Sequence, residues 1–479
     1  MKHTKWTGRA LGAALLAGLL GGCDFIQSTT TDPNQVPNAT VDQLFTSIQV
    51  NSYHITEAQA ARLASLWTQQ GSGVNNQFIA REIYVFDEEE GDPQWASIYA
   101  GGGLVDIRRA IALAEDGGRR AYAGILKIHE AYFVGTAADT WGDVPYSEAA
   151  NPDISTPKLD EQLAVYAAVQ GLLDQAIADL AAGGASPGAV DKNFGGAVAR
   201  WTAVAHSLKA RYYLHTAEVD NTAYAKALAE ANQGIRTNAG NWRAIHSSTA
   251  TEQNLWYQFD RERQDHIVAG FFLVNLMNGG TPANTADDDP RLPIYFTTAT
   301  GATYGGQYIG SKTGSSLPGD PETVASHFKT TGGSPAAADF NLPIISWSET
   351  AAIGAEAALR SGASGATQLA WYNELVAAQA GFWGVTLTGK VPDYAALATD
   401  AARLNAIISQ KYIALFLSPE VWNDYKRTCL PDITPAVGGQ RVPARLFYAQ
   451  SERQTNPNIP SVDAQPARND NDPNPCKVG

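Results

Sequence analysis

The chain has 479 residues, 44% of them apolar and 17% charged, which suffices for one large globular core or two to three smaller ones. Its net charge of −14 argues against nucleic acid and anionic lipid as partners, because both repel an acidic surface. Three cysteines fit neither a disulfide-dense scaffold nor a zinc cluster, and no apolar run beyond the N-terminus is long enough to span a bilayer.

The first element is a targeting segment. Lys2, Lys5 and Arg9 precede a short apolar run, Ala10 to Leu20, and Leu20-Gly21-Gly22-Cys23 closes it with small residues before a cysteine. The pattern resembles a bacterial lipobox, so residues 1–22 are expected to leave as a signal peptide and Cys23 to carry the lipid. The alternative is a plain secretory signal followed by an incidental cysteine. Two or more acyl chains on Cys23 would hold the protein stably at a membrane, where one would not. Residues 23–39 are polar and proline-bearing and read as a flexible tether to a single domain over 40–479.

Helical periodicity begins at Thr40, with Leu44 and Ile48 on one face, and resumes over Glu57–Gln70 through Ala61, Leu63, Leu66 and Trp67. The stretch Gly71–Gln94 reads as a loop whose acid run, Asp87–Glu90, is a solvated face. From Gln94 onward the helices come in pairs. Trp95 to Leu113 leads into Gly117-Gly118, with Gly101-Gly102-Gly103 expected as a kink inside it. Tyr122, Ile125, Leu126, His129 and Phe133 then run toward Trp141-Gly142-Asp143-Val144-Pro145-Tyr146, where Gly and Pro stop the helix and two aromatics flank the corner.

Leu163–Leu180, Trp201–His215 and Tyr224–Ile235 continue the series, and Ala225, Ala227, Ala229 and Ala231 would let two helix axes approach closely. Paired helices joined by short turns are how tetratricopeptide repeats stack, although the period here is irregular. Residues 278–346 break the pattern with Gly, Pro, Thr and Ser, and Leu292–Thr298 is expected to pair with Gln307–Gly310 as a hairpin. Helices return over Ala351–Arg360, from Trp371 to Trp383, and through Leu404, Ile407, Ile408, Tyr412 and Leu415. The fold class is mainly α: tetratricopeptide-like helical hairpins, an irregular loop-rich portion and a few short strands.

No catalytic set is legible. The eight histidines show no HExxH and no paired ligand spacing, and there is neither a G-x-S-x-G elbow nor a phosphate loop. His206 reads as a satisfied core histidine, and no metal or cofactor is expected. A pair of glycosidase carboxylates needs only spatial proximity, so a glycan-cleaving enzyme stays open as an alternative. A helical-repeat adaptor for other proteins is another. Binding rests on aromatics: eleven tryptophans and nineteen tyrosines exceed what helix packing requires. Tyr84, Trp256, Tyr257, Tyr304 and Tyr308, in loops or at their edges, are the candidate ligand contacts.

An ordered set of short motifs adds a resemblance. It begins at Asp32-Pro33-Asn34 and the corner Ala137–Ala149, and passes through Asp289-Pro290-Arg291-Leu292-Pro293. It continues with Glu356-Ala357-Ala358-Leu359-Arg360, Trp371-Tyr372-Asn373-Glu374 to Phe382-Trp383-Gly384, Gln410–Phe416 and Glu420–Thr428. Val442–Tyr448 and Glu452 to Asn456 complete it. Over about residues 32–456 these resemble the SusD/RagB family of outer-membrane nutrient-binding lipoproteins. Cys429 departs from the family pattern, which more often has Gly there, and the chain lacks a tryptophan-rich end. The resemblance implies a lipid-anchored surface protein that binds a glycan or peptide and delivers it to a TonB-dependent, SusC-like transporter, over which it acts as a lid. In that family the pocket comes from loops, so the matched motifs are the residues least expected to touch ligand.

With Cys23 reserved for lipid, Cys429 and Cys476 remain in an exported chain. They are expected either to form a bridge that fastens the apolar-poor segment 457–475, or to stay as two free thiols.

Overall fold

The computed structural model describes residues 39–312 and 324–479, and Val41–Gly479 forms one compact unit. Cys23, the signal segment and all but the last residue of the tether lie outside the described residues.

Helices α1 (Val41–Glu57) and α2 (Gln59–Trp67) lead to strand β1 (Gly71–Gly73) and helix α3 (Gln77–Glu82). The expected loop 71–94 is therefore partly ordered. Its acid run is a solvated face only in part, with Asp87 and Glu89 exposed and Glu88 and Glu90 turned to arginines. Glu88 binds Arg453, Glu90 binds Arg81, and Asp87 caps the turn by accepting from Glu89 N at 3.1 Å. Carboxylates in sequence look alike whether they face water or an arginine brought from 365 residues away.

Helices α4 (Asp92–Tyr99) and α5 (Leu104–Asp116) follow. Gly101–Gly103 separates them as a turn rather than kinking one helix; Gly102 takes φ +78°, open to glycine at no steric cost. The long helices α6 (Arg120–Trp141) and α7 (Gln162–Ala182) pair next, then α8 (Val198–Thr216) and α9 (Ala223–Ala231). Each packs on its predecessor, α5 on α6, α6 on α7, α7 on α8 and α8 on α9. The series does not stop where the sequence breaks. Helix α9 packs on the helix Trp347–Arg360, so residues 232–312 and 324–346 form an excursion that leaves the stack and returns to it.

The excursion holds β2 (Trp242–Arg243), α10 (Leu255–Glu262), β3 (Ile267–Ala269), α11 (Phe271–Met277), two one-turn helices α12 (Leu292–Tyr295) and α13 (Gly301–Tyr304), and β4 (Pro343–Ile345). Strand β1 pairs antiparallel with β3, Gly71 opposite Ala269, and β2 pairs with β4, Trp242 opposite Ile345. The expected 292–298/307–310 hairpin does not form. Leu292–Tyr295 is helical, and Phe296 bridges to Phe328 instead, where both rings pack on Phe416. Burial of that three-ring cluster outweighs a local turn.

Helices α14 (Trp347–Arg360), α15 (Gly365–Trp383), α16 (Asp400–Ala414), α17 (Glu420–Thr428) and α18 (Gln450–Thr455) complete the fold. The close seam between α9 and α14 is built by Ala223, Ala227 and Ala231, one per turn, against Ala351, Ala355 and Ala358. Of the alanines expected there, Ala227 and Ala231 are buried, whereas Ala225 and Ala229 face solvent on the opposite side of the helix. At Gly354 the α15 ring of Trp371 comes so near that an added Cβ would lie 2.4 Å from it, which is why this helix interior tolerates a glycine.

Helix α17 ends at Cys429, whose φ of +57° is the left-handed C-terminal conformation that usually selects glycine. Cys429 and Cys476 are joined, their Cα atoms 5.1 Å apart. The tail before Cys476 is held by more than the bridge. Asn471 N donates to Gln162 Oε1 at 3.0 Å, and Asn469 Nδ2 donates to Asp139 O at 3.0 Å. Polar anchoring thus stands where apolar side chains are missing. Closing the 47-residue separation contributes about 3–4 kcal/mol in the chain-entropy account. The Cys429→Ser/Cys476→Ser variant should lose that much in urea denaturation; an unchanged midpoint would show that the bridge constrains nothing.

Candidate functional site

The matched motifs meet one another in the core. Arg291, fully buried, binds Asp289 Oδ1 from Nε at 2.9 Å and Gln410 Oε1 at 2.9 Å, and it also reaches Gln379. Arg427 of α17 binds Glu356 of α14 and Asp424, and Asp424 also holds Lys411 of α16 at 2.7 Å. Arg211 of α8 grips Glu349 with two bonds of 2.6 and 2.7 Å. Such desolvated charges persist only in well-made pairs. Their positions join helices far apart in sequence, so they specify the stack.

His215 of α8 is the centre of a second node. Nδ1 donates to Asp139 Oδ1 and Nε2 to Glu420 Oε1, each at 2.7 Å. Burial opposes its charge, but the two carboxylates prevail and push the imidazolium pKa up to about 10. His215 and Arg211 hold the Glu420 carboxyl well below the usual carboxylate range despite its burial. Asp139, His215 and Glu420 form the one His/carboxylate cluster among the described residues whose atoms approach closely enough for a cation. The two ring nitrogens of His215 are each engaged by one of these carboxylates. His206 likewise binds Glu230, at 2.6 Å.

One open, concave surface lies at the excursion. Helix α11 and the segment 304–312 frame a cleft of about 230 Å³, lined by Phe271, Val274, Asn275, Asn278, Tyr304 and Tyr308 with Lys312 at its edge. The sequence Phe-Phe-Leu-Val-Asn-Leu-Met-Asn puts Phe271, Asn275 and Asn278 at i, i+4 and i+7, so one helix face presents a ring and two amides. Asn278 Nδ2 donates to Tyr308 O at 3.2 Å and ties that face to the facing loop. Lys312 sits 5.1 Å over the exposed Phe271 ring. Phe271 is also a wall of a second cleft, of about 400 Å³, that reaches Glu82, Asp432 and Thr434–Ala436. Flat rings beside the Asn275 amide and an ammonium suit a ligand with both C–H faces and hydroxyl groups.

The structure brings together two of the five aromatic candidates, Tyr304 and Tyr308. Tyr84 stands behind the second cleft, where its hydroxyl accepts from Ala436 N at 2.7 Å and props that wall. Trp256 is a correction. It is 1% exposed, packs edge-on against Phe259 and Phe328 and donates to Leu417 O at 3.2 Å, so it presents no face to a ligand. Tyr257 is half-buried on α10 and lines none of these clefts. Sequence reading missed Phe271, Asn275, Asn278 and Lys312. The 271–278 periodicity carried the first three, while the approach of residues 304–312 to α11 is tertiary.

A family model described as "Starch-binding associating with outer membrane" (SusD-like_2) matches residues 33–449. Solved structures share the fold at low identity. One, a SusD homologue from Bacteroides vulgatus, is 18% identical with a TM-score of 0.75, over 91% of this chain and 98% of that one. A SusD/RagB family protein from Bacteroides thetaiotaomicron is 19% identical with a TM-score of 0.72, covering 92% and 98%. A third, described as a chitin-binding SusD homologue from Flavobacterium johnsoniae, is 20% identical with a TM-score of 0.72, covering 91% and 99%. Among curated proteins, none matches the chain significantly. With the model spanning most of its length, the chain belongs to the SusD-like family.

Proposed function

We propose that this protein is a lipid-anchored outer-membrane component that captures a glycan in the Tyr304–Tyr308 cleft, without cleaving it, and passes it to a TonB-dependent, SusC-like transporter. The observation that carries the reading is the combination of two tyrosines, the exposed Phe271 and the amide of Asn275 around one concavity. The family description and the chitin-binding relative favour a glycan over a peptide. Removal of residues 1–22 and acylation of Cys23 supply the anchor in this reading, and no helix among the described residues is long and apolar enough to cross a membrane. An intact mass without acyl groups on Cys23 would remove the anchor from the scheme.

Calorimetric titration with chitin- and starch-derived oligosaccharides tests the cleft. Tyr308→Ala should weaken the bound glycan at least about tenfold, a loss of about 1.4 kcal/mol, with no reducing ends released by either form. Unchanged affinity in both Tyr304→Ala and Tyr308→Ala would move the site elsewhere. Release of sugar in proportion to protein would replace the binding reading with a hydrolytic one.

A further inference from the structure

A third cleft, of about 540 Å³, opens between α2, α3 and the end of α10 and shares no lining residue with the Tyr304–Tyr308 cleft. Three arginines converge on it, Arg62 from α2, Arg81 from α3 and Arg263 just past α10. They are arranged around two rings. Phe78 and Phe259 meet edge-on with centroids 5.2 Å apart. Arg62 lies 5.0 Å over Phe259, Arg263 6.0 Å over the same ring, and Arg81 5.0 Å over Phe78. Guanidinium planes stacked on aromatic faces are held in fixed orientations, with their donors directed along the plane.

The three differ in how they are neutralised. Arg81 binds Glu90 through Nε at 2.6 Å. Arg263 has only its chain neighbour Glu262 at 3.4 Å, with both side chains largely exposed. Arg62 pairs with no carboxylate among the described residues, and its buried Nε donates to nothing. Burial, and then the charges of Arg263 and Arg81, lower its pKa to about 10. A half-buried guanidinium with an idle, buried Nε and two like charges beside it, opposed only by Glu90, costs free energy that an oxyanion in the cleft would offset. The cleft's own acids do not fill that place. Glu90 is taken by Arg81 and Gln59, Asp87 accepts from Glu89 N, and the Glu89 side chain is exposed to solvent. The volume far exceeds a bare oxyanion, and the exposed Gln77 amide stands at the rim.

We infer that this cleft is a second ligand site, selective for a saccharide that carries an oxyanion, either a uronate carboxylate or a sulfate ester. The guanidinium fork of Arg62 would receive the charge two-pronged, with Arg263 closing over it from the solvent side.

Calorimetric titration of the full chain tests the assignment with four probes: tetragalacturonate, a sulfated galactan tetrasaccharide, neutral galactotetraose and inorganic sulfate. One or both acidic tetrasaccharides should bind at least tenfold more tightly than the neutral one, and which of them binds identifies the group. Arg62→Gln should weaken that binding at least tenfold. Arg263→Gln, at an exposed position, should weaken it about threefold. Neither variant should change the affinity of a neutral glycan held at the Tyr304–Tyr308 cleft, so failure of one site is read separately from failure of the other. Equal affinity for acidic and neutral probes overturns the inference, as does acidic binding that survives both arginine changes. Binding of inorganic sulfate alone overturns it too, since the site would then hold a free anion and no sugar.

Discussion

Replacing Trp141 by Ala should lower the stability of this protein by about 3–5 kcal/mol, the cost of deleting a fully buried large aromatic. The indole ends α6 with no exposed surface, stands edge-on to Trp95 at 5.0 Å, and donates from Nε1 to Phe447 O at 2.9 Å. Its loss leaves a cavity and an unpaired carbonyl together. The corner it pins is built from several parts of the chain. Asp143 Oδ1 accepts from Gln162 N at 2.8 Å and so caps α7, while the Tyr448 hydroxyl donates to Asp143 O at 2.7 Å. None of these groups lines the Tyr304–Tyr308 cleft, so glycan affinity of the still-folded fraction should stay unchanged. Chemical denaturation followed by calorimetry checks both halves. A stable variant that has lost binding would place Trp141 in the ligand site.

An effect of similar size is expected from breaking the ion pair between α14 and α17. Arg427 and Glu356 are each almost fully buried and share two hydrogen bonds. Arg427→Met should cost about 3–5 kcal/mol, because it strands the Glu356 carboxylate in the core. The Arg427→Met/Glu356→Leu double variant should recover most of that loss, since Asp424 keeps Lys411 as its partner at 2.7 Å. The double-mutant cycle separates this account from simple loss of packing: if the double variant is as unstable as the two singles added together, the pair carries no coupling.

The helices were legible because their evidence is local. The apolar spacing in Tyr122–Phe133, Trp201–His215 and Leu404–Leu415 repeats with the turn of the helix, and Gly142, the Asp220-Asn221 turn and Pro419 follow where these helices stop. The ordered motifs were legible for the same reason, and the family followed from their order along the chain. The reading of Asp87–Glu90 as a solvated face failed for Glu88 and Glu90 because Arg453 and Arg81 decide them from outside the segment. The expected hairpin failed because Phe416, 120 residues beyond Phe296, offers that ring a better neighbour than the local turn could.

The candidate sites divide along the same line. By itself the sequence determined the α-helical stack and the family, both of them patterns written within a few turns of chain. Tertiary structure alone decided that Trp256 is core, that Tyr304 and Tyr308 face the amides of α11, and that Arg62, Arg81 and Arg263 gather around two phenylalanine rings. A binding surface is made where segments distant in sequence converge. The free energy of that convergence comes from the cores behind the surface, so the surface residues carry no periodic signature of their own.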